Sequence, residues 1–250
     1  MPAFRSAKQL ARAVLLVSGV CIALAGEACK TQAGGRHYVL EAIPLASAPR
    51  THEVLAPLAR ELAARSGLCL ELHVAGSVSD FDSHFRAGMP DFAVANPNQV
   101  VASQRGPEPY VPLLRDAKAR LVGLLVVRKD SPYVSLKDLQ QREIGVPSTT
   151  MLASALLVRD LLNRARIQHT LVEMGTPASV LRGVLLGRVA AGGLIKDALE
   201  MESPELRANL RVMLQLPEQP PPALVAHPRV EAAARASLVQ AVIDLAAEPA

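Results

Sequence analysis

From residue 38 onward, short apolar runs alternate with segments whose apolar residues recur at helical spacing. Residues 38–43 read as a strand, and 52–65 carry Val54, Leu55, Leu58 and Leu62 on one helical face before Gly67 stops the helix. A strand over 69–74, a helix over 79–87 and a strand over 91–95 complete a βαβαβ series. The runs at 110–114 and 121–128 are apolar and extended, joined by a charged turn at 115–120, and read as crossover strands. From Ser135 the alternation resumes with a strand at 144–147, a helix at 149–165 and a strand at 170–174. A helix at 176–186, with Pro177 in its first turn, and a strand at 189–195 follow. A strand at 210–216, a stiff proline-rich stretch at 217–222 and a helix at 230–247 close the chain.

Two alternating series predict an α/β protein of two similar lobes, each a mainly parallel sheet flanked by helices and joined by two crossover segments. The expected boundaries are 37–118 with 217–250 for lobe 1 and 119–216 for lobe 2, the crossings lying near 116–130 and 203–218. Open α/β sheets bind ligands at the carboxyl ends of their strands. That rule directs attention to the loop 44–50 with Ser47, to Asn96 and Asn98 after the third strand, and to residues 148–150.

Ser148, Thr149 and Thr150 stand between a strand and a predicted helix. A hydroxyl there caps the first turn, and its neighbours remain free to bond an anion where the helix amides and dipole already favour negative charge. Ser47 is a turn residue or a ligand contact, and the Asn96 amide donates to a ligand or bonds its own loop. Thr176 is a cap first and a pocket donor second. Tyr110 belongs to core or pocket, and Lys196 with Asp197 ends a strand as a solvated pair.

Composition narrows the partners. Half of the 250 residues are apolar, enough for a sizeable core, and the formal charge of +4 is spread as single Arg residues between acids. There is no Trp and there are few Phe or Tyr, so nothing resembles a base-stacking surface, and nucleic acid is not an expected partner. The first 28 residues have the order of a signal peptide: Arg5, Lys8 and Arg12, then an apolar run at 13–25 too short to span a bilayer comfortably. Cleavage after Ala25 or Ala28 is expected, and the second would leave Cys29 at the mature N-terminus, open to a lipid anchor. The mature chain is thus expected in the periplasm, free or anchored through Cys29. Cys29 and Cys69 can pair in an oxidising compartment; neither has metal-ligand spacing, and Cys69 reads as a buried strand residue.

Enzyme signatures are missing. His52-Glu53 begins like a zinc-protease helix, but Ala56 stands where the second histidine belongs, and neither a nucleophile elbow nor a phosphate loop is present. No cofactor and no metal site are expected from the scattered histidines, and the chain is expected to be a non-enzymatic monomer.

Five segments in order resemble one family: 86–98 (Arg-Ala-Gly-Met-Pro-Asp-Phe-Ala-Val-Ala-Asn-Pro-Asn), 121–131, Leu136–Leu139, 144–150 and 183–189. The set, spread over about 37–247, is similar to the phosphate, phosphite and phosphonate substrate-binding proteins of ABC transporters. The resemblance implies a type 2 periplasmic-binding-protein fold that closes on a small anionic ligand and hands it to an ABC permease in the inner membrane. It also implies that Ser148, Thr149 and Thr150 hold the ligand's oxyanion. The chain departs from the family pattern where Met151 and Leu152 replace a small residue and Gly, and where Ala190 replaces an Asp. A ligand sensor for a signalling partner, or an enzyme on the same fold, are the alternative readings.

Overall fold

The computed structural model describes residues 36–44 and 46–248. Lobe 1 is built on β1 (His37–Ala42), β2 (Cys69–Val74), β3 (Phe92–Ala95), β4 (Val111–Arg115) and β10 (Ala223–Ala226), in the order β2-β1-β3-β10-β4. Lobe 2 is built on β5 (Gly123–Arg128), β6 (Arg142–Val146), β7 (His169–Glu173), β8 (Ala191–Ile195) and β9 (Leu210–Gln215), in the order β7-β6-β8-β5-β9. In each sheet one strand runs against its neighbours: β10 against β3 and β4, β5 against β8 and β9. Each of these is the first strand after the chain has crossed from the other lobe. The two crossings touch, since Leu121 and Gln219 exchange backbone hydrogen bonds of 2.9 Å in both directions.

Helices α1 (Ala48–Ser66), α2 (Val78–Arg86) and α3 (Pro97–Ser103) follow β1, β2 and β3. The first starts at Ala48, four residues before the expected start at 52, because Pro49 suits a first turn that needs no N–H. It ends at Gly67, whose φ of 68° is a left-handed conformation that glycine adopts without strain. The α3 segment reads as a loop from sequence, yet Pro97 sits in its first turn. Strand β10 hides behind the proline-rich stretch, so it too escapes a periodicity argument.

In lobe 2 the expected helix at 149–165 is two pieces: a π-helical turn, Leu152–Leu156, then α4 (Leu157–Arg164). The cause lies in the sheet beneath. A Cβ on Gly193 would overlap the Ser154 carbonyl oxygen, and one on Gly123 would overlap that of Ala153. Glycine at both places lets the wide turn rest its backbone directly on β8 and β5. Helix α5 (Pro177–Leu185) follows β7. Lys196 and Asp197, expected to end a strand, instead open the short helix α6 (Lys196–Glu200), which leads to α7 (Pro204–Ala208).

Helix α8 (Ala232–Ala247) returns to lobe 1 and packs with α1 over Tyr38, Leu40 and Phe92. A second cluster joins the lobes: Ile43, Phe81, Phe85, Ala95 and Tyr110 from lobe 1 meet Val146, Met151 and Ala155 from lobe 2. Cys69 is half-buried at the start of β2, not buried as its apolar neighbours suggest, and it is disulfide-bonded. The expected signal peptide and Cys29 lie outside the described residues. Among the described residues, no helix is long and apolar enough to cross a membrane.

Candidate functional site

The carboxyl ends of β1, β2 and β3 face those of β6 and β7 across the cleft. After β6 the chain turns through Pro147 into Ser148, Thr149 and Thr150, and the N-cap of the following helix is Met151. The hydroxyl cluster is therefore a turn ahead of the helix, not its first turn, and Ser148 is not the cap. Leu152, Ala153 and Ser154 take the place that sequence spacing assigns to the cluster, because the glycine-backed π turn delays the helix.

Ser148 is 1% exposed, with its Oγ 2.9 Å from Thr150 Oγ1. Thr149 donates from its N–H at 3.1 Å and its hydroxyl at 3.3 Å to Glu173 Oε2 at the end of β7. Ser79 of α2 reaches across the cleft and donates to the other oxygen of the same carboxylate. That Ser79 bond, with those from Thr149 and Ser148, holds the Glu173 carboxyl below its ordinary range, against the opposing effect of burial.

Thr150 donates its hydroxyl at 2.5 Å to Asp82 Oδ2 of α2, while Gln99 Nε2 donates at 2.6 Å to Asp82 Oδ1. Asn98 Nδ2 donates to Thr150 O at 2.9 Å, and Val78 N to Gly175 O at 2.9 Å. The lobes therefore touch through polar contacts centred on the 148–150 turn. Chemically the turn is a donor set: its hydroxyls and the Thr149 amide point at negatively charged oxygens. Charge-assisted bonds of this kind are the strong ones, and both partners here are carboxylates of the protein itself. Among the described residues, Asn98 Oδ1 and Ser154 Oγ are buried without a hydrogen-bond partner.

Met151, 6% exposed, fills space between the lobes, its sulfur 3.7 Å from Asn96 Nδ2. Asn96 is buried at the start of α3, where its N–H donates to Gln99 Oε1 at 2.8 Å. Ser47 is half-buried at the N-cap of α1 and uses its carbonyl, not its side chain, to receive Thr51 N. Thr176 caps α5, its Oγ1 accepting from Ser179 N at 3.1 Å. Tyr110 is core: its ring stacks on Phe85 at 4.1 Å and its hydroxyl donates to Pro90 O at 2.8 Å. Burial pushes that phenol up.

Sequence reasoning missed Ser79, Asp82, Gln99 and Glu173. Ser79 and Asp82 did carry a signal, because residues three apart on a helix share a face. Glu173 carried none: it joins the turn only because β6 and β7 are neighbours in register, Val146 beside Glu173.

Comparison with solved structures supports this architecture. A binding-protein component of an ABC phosphonate transporter from Pseudomonas aeruginosa superposes with a TM-score of 0.70 at 15% identity, over 82% of this chain and 73% of that one. PhnD1 from Prochlorococcus marinus, solved with methylphosphonate, gives 0.67 at 19% identity, over 84% and 83%. The VFT2 domain of Bordetella pertussis BvgS gives 0.54 at 18%, over 83% and 87%. No curated protein matches the sequence. The family model described as "ABC transporter, phosphonate, periplasmic substrate-binding protein" matches residues 40–250. With its two-lobed type 2 fold, the chain belongs to that family of substrate-binding proteins.

Proposed function

We propose that the chain captures a small oxyanion, such as a phosphonate, phosphite or phosphate, between its lobes and delivers it to an ABC permease. The observation that carries this reading is the donor set of the 148–150 turn, which already holds two carboxylates, one of them brought by lobe 1. An oxyanion entering the cleft takes the place of Asp82 on Thr150, and the rest of the turn and the α2–α3 side close on it. Closure is a rotation about the two crossings, which meet at the Leu121–Gln219 bridge. The apolar Met151 beside the donors favours a ligand with a small non-polar substituent over a fully hydrated ion.

Export is by the segment 1–28, and the exported chain works as a monomer. Cys29 has two exclusive fates, a lipid thioether or a disulfide, and mass spectrometry of the mature chain distinguishes them. A ligand-sensing role for a signalling partner is the second reading; the family match favours transport. A thermal-shift screen of methylphosphonate, phosphite, phosphate and other oxyanions tests the proposal, because a ligand that binds only the native state raises Tm. An upward shift with at least one oxyanion is expected; no shift with any of them contradicts it.

A further inference from the structure

Three side chains in lobe 1 converge on one point away from the hydroxyl turn. Glu41 of β1 is paired in register with His73 of β2, and parallel neighbours in register project to the same face of a sheet. His84, in the last turn of α2, comes down on that face. Glu41 Oε1 lies 3.0 Å from His73 Nδ1 and 2.7 Å from His84 Nδ1, and the imidazoles face each other with centroids 5.7 Å apart. All three ligand atoms fall within 4.8 Å of one another. Sequence spacing conceals the group, since the residues come from three elements.

A buried carboxylate needs a partner, and one imidazole N–H would supply it. Here two imidazoles aim the same ring nitrogen at a single carboxylate oxygen. We propose that Glu41, His73 and His84 form a site for a divalent transition ion of the zinc, cobalt or nickel class. Two imidazoles and one carboxylate suit these ions, whereas calcium and magnesium take all-oxygen sets. Zinc bonds of about 2.0–2.1 Å at tetrahedral angles put ligand atoms about 3.3 Å apart, so the two Glu41–imidazole separations need open only by roughly half an ångström to admit the ion. The His73 side chain is 52% exposed, which gives the ion an entry path and leaves room for water in the fourth position. Glu41 is 1% exposed and held on a central strand, so the inner ligand is fixed before the metal arrives. The bound ion ties α2 to β1 and β2, and α2 is the helix that sends Ser79 and Asp82 across to lobe 2.

The test uses the exported chain without a polyhistidine tag, stripped with EDTA and dialysed. Calorimetric titration with zinc chloride is expected to give one equivalent bound at micromolar metal, and cobalt chloride to give visible absorption bands. His73→Gln and His84→Gln are each expected to weaken zinc by at least about tenfold, since losses of even outer partners of a metal site reach that size. The exposed control His52→Gln is expected to bind as the parent does. His73 is exposed enough that its variant keeps the fold, which melting in EDTA verifies. Absence of saturable zinc uptake by the parent chain, or wild-type affinity in both histidine variants, would overturn the site.

Discussion

Lobe 1 packs its sheet with rings. Tyr38 meets Phe92 at 5.7 Å, and Phe85 stacks on Phe81 at 5.7 Å and on Tyr110 at 4.1 Å, with His227 edge-on to Tyr110 at 5.2 Å. Lobe 2 has the same strand order, but Tyr133 is its aromatic among the described residues. Its core is Leu, Val, Ile and Ala, packed over Gly123, Gly145, Gly192 and Gly193. The contrast explains a division of labour. Rings fill volume and make a stiff wall beside the cleft, whereas glycines bring backbone down onto the sheet and fix where a turn of donors stands. One topology thus presents a ring-backed apolar wall from one lobe and the 148–150 hydroxyl turn from the other, with donors and acceptors on both sides of the cleft.

Replacing the centre of the ring stack should break lobe 1 hardest. Phe85→Ala, at a buried position, is expected to cost about 3–5 kcal/mol by urea denaturation. A loss below about 1 kcal/mol would deny the stack its role in the core. The equivalent attack on lobe 2 adds atoms instead. Gly193→Ala forces a methyl into the Ser154 carbonyl, a clash with backbone that cannot swing away, and overpacking of this kind costs about 1–3 kcal/mol. The same variant should also lose anion affinity, because the 148–150 turn hangs from that backbone. Unimpaired stability would mean that the π turn is free to lift from β8.

Charge across the cleft gives the next effect. Asp82→Asn removes a negative charge that competes for the Thr150 hydroxyl, and methylphosphonate affinity by calorimetry should rise about tenfold, near 1.4 kcal/mol. Weaker binding would instead make Asp82 an acceptor for the ligand. The smallest effects are in pH. His227 in lobe 1 is held below its ordinary 6.5, by burial first and by Arg229 second. A depressed value means that the unfolded chain takes up a proton which the folded one refuses, so stability declines as pH falls below about 6.5. Glu173 in lobe 2 is depressed as well, so its contribution is complete above about 4.5 and is lost as pH falls further. Melting temperatures across this range should therefore fall in two steps, and His227→Gln should remove the upper one.

Much of this was legible in the sequence. Alternating apolar periodicities placed β1, β2, β6 and β8 within a residue or two, and strand ends in an α/β sheet mark the cleft. Two short elements were not legible, because α3 is opened by proline and β10 is preceded by a proline-rich stretch, so both read as loop. The π turn was hidden because its cause is two glycines on strands that pack beneath it, distant in the chain. The hydroxyl cluster was legible as residue types but not as geometry, since Glu173 reaches it through the pairing of β6 with β7 and Asp82 from a helix of the other lobe.

The central claim is that the 148–150 turn holds an oxyanion. Thr149→Val with Thr150→Val keeps the shape of both side chains and removes two hydroxyl donors, each worth about 1.5–3 kcal/mol toward a charged acceptor. Calorimetry of the double variant, with its fold verified by circular dichroism, should be run with whichever of methylphosphonate, phosphite and phosphate the parent binds. The account predicts affinity weaker by about a hundredfold or more. Unchanged affinity would contradict it, and would move the site to the lobe 1 loops around Ser47 and Asn96.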